Sequence, residues 1–320
     1  MPDRWLEAIV DQWRLLTPRI AVIELIAAPG SALPPFTAGA HIDVLLPGGI
    51  IRQYSLCGSP HERKRYRLAV LRESSSRGGS LAMHQFNNGD RISISAPRNR
   101  FPLAPVQRHL LFAGGIGITP LLAMTHTLEK EGRDYFLHYY ARSREDAAFI
   151  DELEGRSHVT LHLDNAENDR LLNLQRALGN PEDGAHIYAC GPGPFMDWLL
   201  GTAAQMGWPQ ASLHMERFQS APEIPEEAGP LSESPSFLVR LASSGVEYTI
   251  PADMSVLDVL LKNGVAAAHS CQQGICGECV VQLLSGRPDH RDSVLSAEEH
   301  ASGLFAPCCS RGTGLLELAL

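Results

Sequence analysis

With 320 residues, 44% of them hydrophobic, the chain is long enough for two or three domains with buried cores. A net charge of −9, and the lack of any Lys/Arg-rich run interleaved with aromatics, argue against nucleic acid as a partner. Residues 1–20 carry Asp3, Glu7 and Asp11 rather than the apolar core of a signal peptide, and the longest apolar stretch, Leu110 to Met124, is interrupted by Gly114, Gly115, Gly117 and Pro120. The expectation is a cytoplasmic protein with reduced thiols and no membrane span.

Residues 1 to about 104 read as short β segments. Ile20–Ala27, His41–Leu46, Gln53–Cys57, Tyr66–Arg72 and Arg91–Ala96 are bounded by Gly, Pro, Asn or Ser clusters, which predicts a small antiparallel β-barrel. Inside it, Arg52-Gln53-Tyr54-Ser55 offers a cation, a flat ring and a hydroxyl. About 25 residues on, Arg77-Gly78-Gly79-Ser80 offers freed backbone ahead of a predicted helix start. Either motif alone is an ordinary strand or turn; together they point to a flavin phosphate and ring site. The basic run Arg63, Lys64, Arg65 and Arg67 reads as a solvated hairpin, with partner docking as the alternative, and Cys57 as barrel core.

From about residue 108 the pattern becomes strand, Gly-rich turn, helix. His109–Ala113 is a buried-strand run, Gly114-Gly115-Ile116-Gly117-Ile118-Thr119-Pro120 is the turn, and Leu121–Lys130 continues as helix. Pro120 stands where the dinucleotide fingerprint has its third glycine. Further strands at Tyr135–Ala141, Val159–Asp164 and His186–Ala189 predict an α/β domain with a parallel sheet, whose ligands bind at the carboxyl ends of the strands. Cys190-Gly191-Pro192 lies at such an end, where a nicotinamide would rest. Arg142 and Arg144 follow the second strand, where the 2′-phosphate of NADPH would be read, a placement equally compatible with NADH.

Residues 220–235, with four prolines, four glutamates and no Lys or Arg, read as an extended linker. The last 85 residues carry five Lys/Arg against nine Asp/Glu. A hairpin is expected from Phe237–Leu241 and Val246–Ile250, a helix over Ser255–Asn263 with Ser255 as N-cap, and a strand at Val280–Leu284. Between helix and strand lie Cys271, Cys276 and Cys279, spaced x4 and x2, with Cys308 and Cys309 28 and 29 intervening residues further on. That spacing is the one by which four thiolates hold a plant-type [2Fe–2S] cluster. Zinc would favour two C-x2-C pairs, a Rieske centre would need histidines in place of two cysteines, and seven cysteines without an export signal disfavour disulfides. Gly274 and Gly277 let backbone N–H groups approach the sulfurs. Spacing leaves Cys308 and Cys309 both open as the fourth ligand.

With these motifs in hand, the chain resembles the phthalate dioxygenase reductase family, which includes the vanillate O-demethylase reductases, over essentially its full length. The resemblance implies an FMN-binding antiparallel β-barrel over 1–104, an NAD-binding α/β domain over 105–222, a linker over 223–235 and an α+β (β-grasp) ferredoxin domain over 236–320. Related reductases with an N-terminal ferredoxin usually bind FAD, so the order here implies FMN. The family's flavin motif falls on Arg52, Gln53, Tyr54, Ser55 and Leu56, its middle flavin strand on Ala69, Val70 and Leu71, and its phosphate turn on Arg77, Gly78, Gly79 and Ser80. Its nicotinamide turn falls on Gly114–Pro120, with Thr119 near the flavin. Glu216-Arg217-Phe218 sits where these enzymes keep an acidic and an aromatic residue beside the flavin, and Phe218 is the flavin contact expected. The segment Pro288–Leu295 is also similar to a family segment between the third and fourth cysteines. By likeness to ferredoxins, Cys308, followed by Cys309 and Ser310, is the expected fourth ligand.

The implied activity is hydride transfer from NADH to the flavin, then two single-electron steps through the cluster to a Rieske-type terminal oxygenase. Ser55, Thr119 and Cys190 shape the reacting pocket in this reading, in a monomer that meets its oxygenase transiently. The alternatives are an FAD-containing reductase serving another acceptor, and a non-catalytic iron–sulfur redox sensor.

Overall fold

The computed structural model describes residues 5–74, 78–164, 170–181, 184–218 and 236–320. Arg77 and the expected linker lie outside the described residues. The chain forms two compact units, residues 1–218 and 219–320.

The first unit contains two sheets. Strands β1 (Trp5–Leu15), β2 (Ile20–Ala27), β3 (Ala40–Leu46), β4 (Ile50–Ser55), β5 (Arg65–Leu71), β6 (Arg91–Ser95) and β7 (Arg98–Asn99), with helix α1 (Gly79–Met83) after β5, make up the first. They pair antiparallel in the order β4-β3-β6-β1-β2-β5, with β7 on β3, giving the near-closed barrel expected. Its interior is filled by Ile23, Leu25, Ile42, Val44, Leu68 and Ile94, and burying each such side chain contributes roughly 1.5–3 kcal/mol. β1 was not expected: a register shift between Val10 and Gln12 breaks the two-residue alternation by which a strand is read. The basic run is paired only in part, Arg63 and Lys64 being exposed as in a solvated hairpin. Arg65 pairs with Asp11 and Glu24, and Arg67 pairs with Glu152 and lies over the Phe149 ring.

The second sheet comprises β8 (Arg108–Gly114), β9 (Asp134–Ala141), β10 (Val159–Leu163), β11 (His186–Cys190) and β12 (Leu213–Glu216), all parallel in the order β10-β9-β8-β11-β12. Helices α2 (Ile118–Glu131), α3 (Ile150–Leu153), α4 (Arg170–Leu178) and α5 (Gly193–Gln205) connect them. The order reverses between β8 and β11, so the carboxyl ends of those two strands form the crevice in which such sheets bind ligands.

The second unit is the α+β domain expected: β13 (Phe237–Leu241), β14 (Glu247–Ile250), α6 (Val256–Lys262), β15 (Val281–Asp289), α7 (Ala297–Ala301), β16 (Leu304–Phe305) and β17 (Arg311–Leu318). The sheet runs β14-β13-β17-β15-β16, with β13 and β17 parallel. Ser255 caps α6 in a capping box with Asp258, as its position ahead of an apolar run predicts.

Candidate functional site

In the first unit, the two flavin motifs meet. Arg52 crosses the turn after β5 so closely that a Cβ on Gly79 would stand 2.6 Å from its Cγ and 3.0 Å from its Nε. A side chain there would have to displace Arg52, so glycine lets the Arg52 side chain lie across the start of α1. Ser80 accepts a hydrogen bond from the Glu73 N–H (3.2 Å), fixing the turn. Tyr54 is half-buried, and burial pushes its phenol well above the ordinary range, so it is a neutral ring. Gln53 lies 3.3 Å from His41 Nε2; burial lowers His41 to about 4, so that imidazole is neutral and can accept from the amide. Of the middle strand, Ala69 and Leu71 pack in the core shared with Cys190 and Phe218, whereas Val70 turns into the barrel interior.

The nucleotide turn docks on the end of β11. A Cβ on Gly117 would lie 2.1 Å from the Cys190 carbonyl oxygen, and one on Gly114 would lie 2.8 Å from the Phe195 ring. Gly115, at φ +54°, meets nothing within 4 Å and borders open space. Gly191 packs against Gly114 in turn, and Pro192 caps α5. Thr119 is buried in the first turn of α2 and donates to the Ile116 carbonyl (3.0 Å), so its hydroxyl serves the turn itself. Arg144 forms a two-pronged pair with Glu154 (2.9 and 2.5 Å). Arg142 is exposed and makes no such pair among the described residues.

The centre of this unit's site is a contact that motif spacing does not reveal. Ser55 Oγ, at the end of β4, donates to Glu216 Oε2 (3.0 Å), 161 residues away at the end of β12. Parallel pairing puts Glu216 opposite Cys190, and Cys190 opposite Ala113. Burial raises Glu216 to about 7, the Ser55 hydrogen bond holding it back, so the carboxyl can gain or lose a proton near neutrality. Burial, with the Glu216 charge adding to it, drives the Cys190 thiol far up, so Cys190 is a neutral thiol and no nucleophile. Glu216 belongs to the acidic–aromatic stretch in which Phe218 is the expected flavin contact. Phe218 packs half-buried on the same core as Cys190.

In the second unit Cys271, Cys276, Cys279 and Cys308 are each at most 7% exposed. Hydrogen bonding with Cys276, and further with the backbone amides of residues 275, 273 and 276, holds the Cys271 thiol below its usual range, while Cys276 is pushed up. Cys279 is lowered and Cys308 raised through a second such bond. Four thiols in two contacting pairs, ringed by backbone N–H donors, suit a group that takes four thiolates and a concentration of negative charge. Gly274 (φ +72°) makes room for the neighbouring side chain: a Cβ there would sit 2.5 Å from Cys309 Sγ. Cys309 thus lies under the loop, its Sγ 3.8 Å from the Ala306 carbonyl.

Comparison with known proteins agrees with this geometry. Residues 239–313 match the 2Fe-2S iron-sulfur cluster binding domain, and residues 97–213 match the N-terminal domain of dimethylamine monooxygenase subunit DmmA-like proteins. A vanillate O-demethylase oxidoreductase of Pseudomonas sp. (strain HR199 / DSM 7063) is 45% identical over 312 residues, covering 96% of each chain. The heme-dependent oxidative N-demethylase beta subunit of Ectopseudomonas mendocina (strain ymp) is 40% identical over 311 residues, covering 97% of this chain and 96% of the relative. The solved structure of phthalate dioxygenase reductase, described as modular for electron transfer from pyridine nucleotides to [2Fe-2S], superposes with a TM-score of 0.77 at 37% identity, covering 100% of this chain and 99% of that one. The fold and site define an NAD(P)H-dependent flavin iron–sulfur oxidoreductase. The chain belongs to the phthalate dioxygenase reductase family, whose members are reductase components of oxygenase systems. No described helix is long and apolar enough to cross a membrane.

Proposed function

We propose that this reductase takes electrons from NADH through FMN and a [2Fe–2S] cluster to a Rieske-type terminal oxygenase. The observation that carries the reading is the Ser55–Glu216 bond, set opposite Cys190 at the carboxyl end of the parallel sheet, where a flavin-binding strand meets the nucleotide crevice. Residues 1–104 would hold the flavin, 105–222 the nucleotide and 236–320 the cluster, with 223–235 as linker, in a monomeric cytoplasmic protein. The bound groups supply the redox chemistry: the nucleotide yields two electrons at once, the cluster accepts one at a time, and the flavin converts between them.

The chain's own residues bind, orient and hold protons. Arg52 and the Gly78-Gly79-Ser80 backbone neutralise the flavin phosphate, with Arg77 as a further candidate, and Tyr54 offers its ring face. Ser55 holds Glu216, whose carboxyl can keep or release a proton at Oε2 near neutral pH. Gly114, Gly117 and Gly191 let the turn dock closely on the end of β11, Gly115 leaves open space for the nucleotide, and buried Cys190 with exposed Pro192 borders it. Cys271, Cys276, Cys279 and Cys308 are the cluster ligands. NADH is the nucleotide of this reading; Arg144 is held only in an exposed pair with Glu154, so Arg142 and Arg144 are the side chains to test against a 2′-phosphate.

A second reading, favoured by the likeness to the heme-dependent oxidative N-demethylase beta subunit, replaces the Rieske oxygenase with a heme-type oxygenase as acceptor. Mass spectrometry of the heat-released flavin tests FMN against FAD. Cluster oxidation by purified acceptors of the two classes tests the partner: preferential oxidation by the heme type would replace the Rieske reading.

A further inference from the structure

Between the third and fourth cysteines, the chain folds a buried polar group against the cluster loop. Asp292 follows β15, and its side chain is 0% exposed. Oδ2 accepts from the Leu295 N–H (2.9 Å), and Oδ1 accepts from His300 Nε2 (3.1 Å) and Ser310 Oγ (3.4 Å). Its backbone lies on the loop carrying Cys271, Cys276 and Cys279: a Cβ on Gly274 would stand 2.9 Å from Asp292 Cα, and the Ser293 N–H donates to the Gly274 carbonyl (3.0 Å). Its other attachment, Ser310, is two residues beyond Cys308 and also accepts from the Arg291 N–H (3.1 Å). Asp292 thus reaches both segments that supply cysteines, its carboxylate bonding Ser310 beyond Cys308 and its backbone packing on Gly274 between Cys271 and Cys276.

His290, Asp292 and His300 bring their ligating atoms within 4.8 Å of one another, which raises a bound cation as the rival explanation. The two imidazoles are stacked, with centroids 3.9 Å apart and planes 18° from parallel, so their in-plane lone pairs run side by side instead of converging on one ion. His300 and Asp292 meet as a hydrogen-bonded pair. Arg291 is paired with Asp289 (2.7 Å).

We propose that Asp292 is a positioning residue for the iron–sulfur cluster: through its backbone on Gly274 and its carboxylate on Ser310 it ties the two cysteine-bearing segments together, and the buried carboxylate holds the cluster's reduction potential down, with His300 tempering its charge. A fixed negative charge in a site poor in water disfavours the added electron, and a donor on that charge weakens the effect. The inference rests on the ligand assignment above.

The test uses the full chain with its cluster loaded. Redox titration, followed by visible absorption and by the electron paramagnetic resonance of the reduced cluster, compares wild type with Asp292→Asn and His300→Phe. Asn keeps the shape and an acceptor but drops the charge; Phe keeps the stack on His290 but drops the donor. The Asn variant is expected to favour cluster reduction by about tenfold or more, a rise of about 59 mV for one electron, and the Phe variant to shift the opposite way. Unmoved potentials at wild-type iron content, or shifts of the same sign, would overturn the proposal. Should the Asn variant lose iron, His300→Phe decides alone: a lowered potential supports the proposal and an unchanged one overturns it. A wild-type protein without iron would instead sink the ligand assignment itself.

Discussion

Replacing Glu216 by Gln isolates the energetic consequence of burying a carboxyl at the reacting end of the sheet. Burial raises Glu216 from 4.5 to about 7 despite the hydrogen bond from Ser55. Below about pH 4.5 the carboxyl is protonated in both folded and unfolded chains and has no linkage effect. Between about pH 4.5 and 7 the folded chain keeps a proton that the unfolded chain has lost, so rising pH favours unfolding; above that window the slope vanishes. A displacement of about 2.5 units at about 1.36 kcal/mol each amounts to roughly 3 kcal/mol. Urea unfolding of wild type and E216Q, at equal cofactor loading and at half-unit pH steps, should show wild-type stability falling relative to E216Q by roughly that amount from pH 4.5 to 7.5. Ser55→Ala, which removes a bond to the charged form worth roughly 1.5–3 kcal/mol, should extend the fall by about one to two pH units. A wild-type minus E216Q difference that stays flat across this range would refute the argument that Glu216 titrates near neutrality.

Three further outcomes follow from the geometry. Gly117→Ala would place a methyl 2.1 Å from the Cys190 carbonyl oxygen, so NADH-driven flavin bleaching should fall by at least about tenfold while flavin content holds; unchanged bleaching would contradict the docking of this turn. Cys308→Ser should lower bound iron and the cluster's visible absorption, whereas Cys309→Ser should keep both; the reverse, read by iron assay, would reassign the fourth ligand. Arg142→Ala should weaken NADPH more than NADH; steady-state KM values for both nucleotides check this, and an equal loss for both would contradict a 2′-phosphate contact at this exposed side chain.

Much of the fold is legible residue by residue. β2 and β13 have the bounds read from the sequence because apolar runs stop there at turn-forming residues, and Ser255 caps α6 as its place before an apolar run predicts. Elements were missed where the local signal is broken. β1 carries a bulge, β12 has only four residues, and β17 contains Gly312 and Gly314, which read as turn. The site divides in the same way. Arg52 with Gly79, and the cysteine spacing, are legible because each motif is compact or characteristic. The Ser55–Glu216 bond, the pairing of Arg67 with Glu152 and the Asp292 network are not, because sheet order and register bring those partners together. The register of β2 on β5 also puts Glu24 opposite Arg67 and within reach of Arg65, so two of the four residues of the basic run are held in ion pairs within the chain.

The most direct test of the central claim is an anaerobic titration of the purified protein with NADH and then NADPH, followed across the visible spectrum. The account predicts that flavin and iron–sulfur bands both bleach, and that NADH acts at far lower concentration than NADPH. Bleaching of the cluster by dithionite but by neither nucleotide would contradict it.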